Sequence, residues 1–209
     1  WQKSAWHAEP EPREVQSETF VEAYNQALAH YEAGRYEQAI SLWRKALELG
    51  EKTLGPDHHS VGRSLNNFAN VYLRQGRYVE AEPLYKRGLA IYEKTLGQDH
   101  PNVAVSLNGL AELYLAQGRY EIAEPLYKRA LAILEKALGQ DHPNVAQVLN
   151  NLAVLYDIQH LYETAEPLYK RSLAIREKAL GPDHHIVAES VHNLAVLYDI
   201  QHLYETAEP

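Results

Sequence analysis

A 42-residue repeat constrains the fold of this chain more than any other feature. The sequence Ala-Glu-Pro-Leu-Tyr-Lys-Arg occupies residues 81–87, 123–129 and 165–171, and it begins again at Ala207. A divergent copy, Ala-Ile-Ser-Leu-Trp-Arg-Lys, lies one period upstream at residues 39–45. A fixed period of this length predicts a solenoid, in which each unit buries its apolar face only against its neighbours. Stacked copies form an extended surface rather than one closed pocket, which favours a binding protein over an enzyme.

The composition narrows the classes of function further. The 209 residues are 45% apolar, which is enough for a buried core, and the repeat favours one elongated array over two domains. A net charge of −8 without any long basic run argues against nucleic-acid binding. No apolar stretch is long enough to span a bilayer, so we expect no membrane insertion. The absence of cysteine excludes disulfides and thiolate metal sites but leaves the compartment open.

Each repeat contains two helical patterns separated by a glycine turn. Within residues 102–143 the first pattern is Leu107, Leu110, Ala111 and Tyr114. Its spacing is that of one face of an amphipathic helix. Gly118 interrupts it, because glycine can take the left-handed conformation that closes a helix. The second pattern is Ala123, Tyr127, Ala130, Leu131, Leu134 and Leu138, and it stops at Gly139. We name the first helix of every repeat helix A and the second helix B.

The prolines indicate where these helices begin. Proline has no amide proton, and only the first turn of a helix can spare one. Pro125 therefore predicts that helix B begins only a few residues earlier, near Glu121. By the same argument Pro143 begins the next helix A, with Asp141 or His142 as its N-cap.

Small and aromatic residues recur where the two helices would pack. The small residues are Ala69, Ala111, Ala153 and Ala195 on helix A, and Ala81, Ala123 and Ala165 on helix B. The tyrosines are Tyr78, Tyr120 and Tyr162 at the turn, and Tyr85, Tyr127 and Tyr169 in helix B. We interpret the tyrosine ladder as core packing rather than as an electron-transfer or stacking device.

These motifs together resemble a known family. They are Leu-Asn-Asn-Leu-Ala-x-Leu-Tyr from Leu149, Gln-Gly-Arg-Tyr from Gln75, the helix B sequence above, and Leu-Gly-x-Asp-His-Pro from Leu96. The pattern resembles the tetratricopeptide repeat. The 42-residue length and the Gly-x-Asp-His-Pro linker resemble the variant in kinesin light chains and nephrocystin-like proteins. The resemblance implies an all-α fold: a right-handed superhelical solenoid of antiparallel helix pairs, with about four and a half repeats.

The period also predicts where each repeat begins and ends. We expect an N-terminal arm at residues 1–17, repeats at residues 18–57, 58–100, 101–142 and 143–184, and a truncated fifth repeat at residues 185–209. The fifth repeat has a helix A, about His185–Gln201, but no helix B to cover it. We therefore expect that the native chain continues, or that this end pairs with another molecule.

Repeats four and five depart from the pattern at the turn. His160 and His202 replace the turn glycine, which predicts either a strained backbone or an altered turn. Residues 152–167 and 194–209 are identical, which argues against a unique catalytic residue in either copy.

The resemblance implies that helix A of each repeat lines a concave groove. One column of its outward positions is Tyr24, Asn66, Asn108, Asn150 and His192, and the next is Asn25, Asn67, Gly109, Asn151 and Asn193. An asparagine amide can both donate and accept hydrogen bonds, which suits the main chain of an extended peptide. In tetratricopeptide proteins that bind peptides, groove asparagines at such positions hold the ligand main chain. The alternative is that each asparagine bonds to the preceding helix B or loop and holds the stack together. We favour a ligand-facing role for the ladder as a whole.

Further groove positions differ in polarity along the chain. Those of the middle repeats are Arg63, Asn70, Arg74 and Glu112. Their counterparts in repeats four and five are Gln147, Val154, Ile158, Glu189, Val196 and Ile200. We expect a groove that is polar in the middle and apolar toward the C-terminus, or else aliphatic side chains that face the next repeat.

Other charged residues have simpler interpretations. Lys86, Lys128 and Lys170 each follow a glutamate by four residues, which predicts surface ion pairs rather than phosphate binding. The adjacent pairs His58-His59 and His184-His185 diverge in direction, so we interpret the recurring Asp-His as linker and cap chemistry and expect no metal site. No motif for catalysis or for a cofactor is present.

The first 17 residues break the period. Trp1, Trp6 and the prolines at 10 and 12 indicate a linker or an arm. This arm either occupies its own groove or a neighbour's, or it is a disordered end. The chain has no methionine, even at position 1, so we expect that it begins inside a longer precursor.

We therefore predict a non-catalytic scaffold that binds an extended peptide segment of a protein partner. Two alternatives remain open. One is the sensor or scaffold region of a larger enzyme, such as a protease or signalling ATPase. The other is a structural element that self-associates through its uncapped C-terminal end or its N-terminal arm.

Overall fold

The computed structural model describes the backbone of residues 12–207 and the side chains of residues 19–200. Within this part the chain forms nine α-helices and no strand, which confirms the predicted all-α helical repeat array. They are α1 (Pro12–Glu32), α2 (Tyr36–Leu54), α3 (His59–Arg74), α4 (Tyr78–Leu96), α5 (Pro101–Ala116), α6 (Tyr120–Leu138), α7 (Pro143–Ile158), α8 (Tyr162–Leu180) and α9 (His185–Ala207). Odd-numbered helices are A helices and even-numbered ones are B helices.

The helices group into two compact units, one ending at Thr95 and one beginning at Leu96. In the first unit α1 packs on α2 and α2 on α3, and in the second unit each helix from α5 to α9 packs on the next. A helices also touch one another within a unit, α1 with α3 and α5 with α7. The sequence predicts one array rather than two domains. Within each unit, the helices pack on their neighbours along the chain, as expected of a repeat that contacts only its neighbours.

Histidines cap the A helices α3, α5, α7 and α9. The ring Nδ1 of His100 accepts a hydrogen bond from the Asn102 amide at 3.1 Å, and His142 does the same for Asn144. His142 is therefore the N-cap of α7, and Asp141 has a different role. The Asp141 carboxylate forms an ion pair with the Lys178 ammonium group at 2.6 Å. The recurring Asp-His thus combines a helix cap with an electrostatic contact, as its interpretation as linker and cap chemistry predicts.

The turn between helices A and B requires a left-handed residue. Gly76 and Gly118 have φ angles of 70° and 72°. His160 occupies the same position with φ of 61°, and it is the one non-glycine residue with a positive φ in the described chain. Of the two alternatives for this histidine, the strained backbone is confirmed. Its Nδ1 lies 2.6 Å from the hydroxyl of Tyr162.

The helix B proline lies deeper in its helix than the sequence predicts. α6 begins at Tyr120, one residue before the predicted start, so Pro125 is its sixth residue and lies in the second turn. Helical bonding has already begun there, because the Ala123 amide donates to the Arg119 carbonyl at 3.1 Å. The Glu121 carbonyl therefore has no amide four residues ahead to bond. Pro125 lies on the exposed side of α6, where water can satisfy that carbonyl.

The core consists of repeated tyrosine and alanine contacts between helices A and B. Tyr85, Tyr127 and Tyr169 are at most 2% exposed, which confirms their interpretation as core residues. Trp43 of the divergent first repeat takes the corresponding place in α2 and is fully buried. The predicted small contact residues are fully buried at Ala69, Ala81, Ala111, Ala123, Ala153 and Ala165. Ala195 on α9 is exposed instead.

The chain ends differ from the predicted boundaries. α1 begins at Pro12, so residues 12–17 of the expected arm are helical, because proline is tolerated at the first position of a helix. Trp1 and Trp6 lie outside the described residues. α9 continues to Ala207, whereas the sequence predicts that it ends near Gln201.

Identical sequences therefore adopt two conformations. Residues 152–165 turn at His160, and their identical counterparts at 194–207 remain helical through His202. The turn in the first copy lets Ala165 and Tyr169 bury themselves in the core.

Candidate functional site

In the first unit, the predicted groove residues form a cluster between α1 and α3. The Asn67 Nδ2 group donates to the Tyr24 hydroxyl at 2.7 Å, which connects α3 to α1. The Arg63 guanidinium lies 4.5 Å from the centre of the same Tyr24 ring, a cation–π contact. Asn70 accepts a hydrogen bond from the Tyr85 hydroxyl of α4. Four of the predicted residues therefore contact other residues of the first unit: Tyr24, Arg63, Asn67 and Asn70.

In the second unit, the asparagines connect α5, α7 and α9. Asn151 Nδ2 donates to Asn108 Oδ1 at 3.1 Å and to Glu112 Oε1 at 2.7 Å. Asn108 Nδ2 donates to the same Glu112 oxygen at 2.8 Å. Asn193 Nδ2 donates to Asn150 Oδ1 at 3.2 Å. These bonds join neighbouring A helices, whereas the stack-holding alternative expects bonds to the preceding helix B or loop.

Each bridging asparagine uses its amide nitrogen in this way. The carbonyl oxygens Oδ1 of Asn67, Asn151 and Asn193 make no hydrogen bond to any residue whose side chain the structure describes. All three side chains are half-buried, so their oxygens are accessible from the surface of the A helices. We call the side of the A helices that carries these three residues in each unit the amide face.

The first asparagine column lies largely inside the repeat rather than outward. Asn66 is 4% exposed and Asn150 is 7% exposed, and Tyr24 is also buried. The reason is helical geometry: Asn66 shares a face with Gly62 and Ala69. That face packs on helix B, where the side-chain oxygen of Asn66 lies close to Gly88. The column emerges only at Asn108, which is half-buried, and at His192, which is exposed.

The remaining predicted positions lie at the surface. Asn25 is exposed and bonds to no described residue, and Arg74 is exposed at the end of α3. Ile158 and Val196 are 47% and 37% exposed. These two aliphatic side chains therefore do not insert into a neighbouring helix of the described chain.

Sequence reasoning missed a second set of contacts between repeats. The Tyr156 hydroxyl of α7 donates to Glu124 Oε1 of α6 at 2.8 Å, and Lys128 lies 2.6 Å from the same oxygen. The hydrogen bond from Lys128, followed by that from Tyr156, lowers the pKa of Glu124. Tyr198 and Glu166 repeat the contact at 2.7 Å. The predicted glutamate–lysine pairs are confirmed at Lys86, Lys128 and Lys170, and a tyrosine from the next repeat joins the pairs of Lys128 and Lys170.

Sequence reasoning also missed Arg176, which is 92% buried between α8 and α9. Its Nη1 donates to the Ser190 hydroxyl at 2.6 Å. Burial lowers the pKa of the guanidinium. The signal lay in the repeat: the counterparts one and two periods earlier are Leu134 and Tyr92, so a charged residue stands in a core column.

The described residues were also searched for a metal site and for a membrane-spanning helix. Among the side chains of residues 19–200, no group of three histidine, aspartate or glutamate residues is arranged to hold a metal ion. The paired histidines act locally: His58 accepts from the Ser60 amide at 3.2 Å as the cap of α3. Burial, followed by the charge of His59, lowers the pKa of His58. None of the helices between residues 12 and 207 combines the length and apolarity needed to cross a bilayer.

Comparison with known proteins identifies the repeat. A family model described as tetratricopeptide repeat matches four overlapping ranges, residues 19–94, 67–136, 102–178 and 144–209. No curated protein sequence matches the chain.

Solved structures with the same fold include kinesin light chain-like proteins. The crystal structure of BtubC (BKLC) from P. vanneervenii has a TM-score of 0.73 at 24% identity, over 94% of this chain and 87% of that one. A putative kinesin light chain from Podosopora anserina with nearly identical TPR-like repeats has a TM-score of 0.72 at 28% identity. That match covers 95% of this chain and 92% of the other.

Proposed function

Because the chain belongs to the tetratricopeptide repeat family, whose members are typically non-enzymatic scaffolds for protein–protein interaction, we propose that the amide face of each unit, taken by itself, binds the main chain of an extended peptide. The peptide is a segment of a partner protein. The observation that carries the proposal is which side-chain atoms of the three asparagines are hydrogen-bonded. Their amide nitrogens are used within the stack, and their carbonyl oxygens remain available as acceptors among the described residues.

An extended peptide supplies the complementary donors. Its main-chain N–H groups have no internal partners, unlike those of a helix. The hydrogen bond from Asn67 Nδ2 to Tyr24, and those from Asn151 to α5, hold each side chain in one orientation before the ligand arrives. Preorganised acceptors lose less conformational entropy on binding than free side chains do.

The side chains beside the asparagines favour different peptide residues in the two units. In the first unit Arg63 and Arg74 are exposed cations, which favour acidic peptide side chains. In the second unit Ile158 and Val196 are exposed aliphatic groups, which favour apolar ones. The preference for acidic peptide side chains is therefore argued from the first unit alone, and the preference for apolar ones from the second unit alone.

A pair of double variants tests the proposal. A peptide is first selected on the full chain from a random library displayed on phage. Its affinity is then measured for Asn67→Ala/Asn151→Ala and for Tyr24→Phe/Asn108→Ala. The first variant removes both oxygens, whereas the second removes one anchor of each asparagine and keeps the oxygens. Both variants lose hydrogen bonds that hold the stack together. Thermal unfolding measures the loss of stability that results in each of them.

We expect the first variant to bind about fivefold more weakly, because a peptide on one unit loses one hydrogen bond of about 1 kcal/mol. The control keeps the acceptor oxygens and loses only their preorganisation, so we expect it to weaken binding by no more than about twofold. Equal affinity of the two variants, or failure to select any peptide, would show that the asparagines serve the stack alone. No observation favours the sensor region of a larger enzyme or the self-assembling element, and both stay predictions.

A further inference from the structure

The first repeat lacks an acidic residue that the next three share. Glu82, Glu124 and Glu166 occupy matching positions in their B helices, and Ile40 occupies that position in α2. Each glutamate pairs with the lysine four residues later, at 2.6 or 2.7 Å. The first repeat keeps the basic residue as Arg44, so α2 has the cation without its usual carboxylate.

In the second unit this carboxylate has two partners. Glu124 binds Lys128 of its own helix and accepts a hydrogen bond from the Tyr156 hydroxyl of α7. Glu166 has the same two kinds of partner one repeat later. The hydrogen bond from Lys128, followed by that from Tyr156, lowers the pKa of Glu124. A cation and a tyrosine hydroxyl in this arrangement therefore favour an ionised carboxylate.

The first repeat keeps the tyrosine as well. Tyr72 of α3 is the counterpart of Tyr156, and it is 5% exposed. Its hydroxyl accepts a hydrogen bond from Arg44 Nη2 at 3.3 Å and donates to no described residue. Arg44 forms no ion pair with any described side chain. The two groups that hold a carboxylate in the second unit therefore lie side by side in the first unit without one.

A cavity of about 540 Å³ adjoins these groups, and we call it the α2 cavity. It is lined by Ile40, Arg44 and Lys45 of α2 and by Arg77, which lies just before α4. The Arg77 guanidinium also lies 4.4 Å from the centre of the Tyr72 ring. The first unit therefore offers cations beside an aliphatic side chain, which suits a carboxylate on a short aliphatic stem.

Two glutamates limit the charge that the α2 cavity accepts. Glu37 and Glu48 line it together with the three cations, so its side chains carry one net positive charge. Glu37 is held by Gln75, whose Nε2 donates to it at 3.0 Å. A single negative charge balances the cavity, whereas a second one would be repelled by the glutamates.

We propose that the α2 cavity binds a monovalent carboxylate in place of the glutamate that the other repeats supply from their own helix B. The carboxylate accepts hydrogen bonds from Arg44 and from the Tyr72 hydroxyl, and its aliphatic stem lies against Ile40. A free carboxylic acid and an acidic side chain of a polypeptide present the same chemistry. No asparagine of the amide face lines this cavity, so the proposal does not rest on the proposed function.

Propionate is the first probe, because it has the length of a glutamate side chain. Its binding to the full chain is followed by the backbone amide chemical shifts of α2 and α3 at constant ionic strength. Propionamide is the uncharged control, and inorganic phosphate tests the preference for a single charge. A pentapeptide with blocked ends and one glutamate between alanines presents the same carboxylate on a polypeptide.

We expect saturable shifts with propionate, with a dissociation constant of about 1–10 mM, and none with propionamide. Peptide binding about fivefold tighter or more would assign the carboxylate to a polypeptide, and equal affinity would assign it to a free acid. The absence of saturation with both, up to about 100 mM, would overturn the proposal. Tighter binding of phosphate than of propionate would overturn it as well.

A matched pair of variants tests the role of the cation. Arg44→Gln removes it beside the cavity, and Lys128→Gln removes its counterpart in α6, where Glu124 already supplies the carboxylate. Both residues are exposed, and circular dichroism checks that the helix content is unchanged. We expect propionate to bind at least about tenfold more weakly to Arg44→Gln and within about twofold of the wild type to Lys128→Gln. Equal affinity of the two variants would contradict the proposal.

A second pair supplies the missing carboxylate from the chain itself. Ile40→Glu places a glutamate where the other repeats have one, and Ile40→Gln has the same length without the charge. We expect Ile40→Glu to lose propionate binding and to unfold at a higher temperature than Ile40→Gln at pH 7. Ile40→Gln should bind propionate within about fivefold of the wild type, because Arg44 and Tyr72 remain. Undiminished binding of propionate to a folded Ile40→Glu would show that the ligand does not occupy the place of the glutamate.

Discussion

Asn151 and Glu112 are joined by a hydrogen bond of 2.7 Å that connects α7 to α5. The same carboxylate oxygen accepts from Asn108 at 2.8 Å within α5. One charged acceptor therefore holds two amides from different repeats in place. Hydrogen bonds to a charged group are stronger than neutral ones, so this contact is the firmest point of the amide face in the second unit.

Replacing Asn151 by alanine tests the strength of this contact. We expect Asn151→Ala to lower the free energy of unfolding by about 1–2 kcal/mol, because Glu112 keeps one of its two amide donors. The control is Asn25→Ala, at an exposed residue that bonds to no described residue, and it should stay within about 0.5 kcal/mol of the wild type. Urea unfolding followed by circular dichroism measures both. Equal stability of the two variants would mean that the Asn151 bonds contribute nothing.

Truncation of a buried ladder tyrosine should be severe. Tyr127 is 0% exposed, so Tyr127→Ala leaves a cavity in the core of the second unit and should cost about 3–5 kcal/mol. Tyr120→Ala removes a tyrosine that is only half-buried at the turn, and we expect it to cost about 1 kcal/mol. Similar losses at both positions in urea unfolding would contradict the assignment of Tyr127 to the core.

Exchanging histidine and glycine at the turn positions 160 and 118 tests the strain at His160. His160→Gly removes a side chain from a left-handed backbone and should stabilise the chain by about 1 kcal/mol. Gly118→His places a histidine in the matching turn of the preceding repeat, where φ is 72°, and should destabilise it by a similar amount. Thermal unfolding of the two variants gives the comparison. If His160→Gly unfolds at a lower temperature than the wild type, the hydrogen bond between His160 and Tyr162 outweighs the backbone strain.

Asp157 makes stability depend on pH. Burial raises the pKa of this carboxyl, although the hydrogen bond from Tyr169 opposes the shift. A folded-state pKa above the unfolded value favours the protonated folded form. Stability therefore rises as the pH falls through the raised pKa toward the unfolded value, and the ionised carboxylate weakens the fold at neutral pH.

The variant Asp157→Asn keeps an acceptor for Tyr169 without the charge. We expect it to unfold at a higher temperature than the wild type at pH 7, and the difference should shrink as the pH is lowered toward the unfolded pKa of aspartate. Unfolding curves collected at several pH values measure this difference. A gap that is constant with pH would show that charge burial is not its cause.

Much of the fold could be predicted from local patterns. The start of α7 at Pro143 follows from the restricted chemistry of proline, and the turn at Gly118 follows from the conformational freedom of glycine. The burial of Tyr127 and Ala123 follows from helical periodicity. These features depend on residues within a few positions of one another, so the sequence is sufficient.

The candidate site could be predicted only in part. The sequence places Asn66 and Asn67 side by side, but only the packed structure shows that Asn66 faces Gly88 in the core while Asn67 bridges to Tyr24. A rotation of one position along a helix changes a surface residue into a buried one. Which of the two columns faces outward depends on how helix B lies against helix A.

What the sequence by itself determined is the repeat: its period, its helices, its turns and its core columns, all of which are local consequences of residue type. The tertiary structure alone decided which atoms of Asn151 are used within the stack and which are exposed. It also decided that residues 152–165 turn while the identical residues 194–207 stay helical. The physical reason is that the strained turn at His160 is compensated by packing of the helix that follows it, as with the buried Tyr169 of α8, and this packing is a tertiary contact.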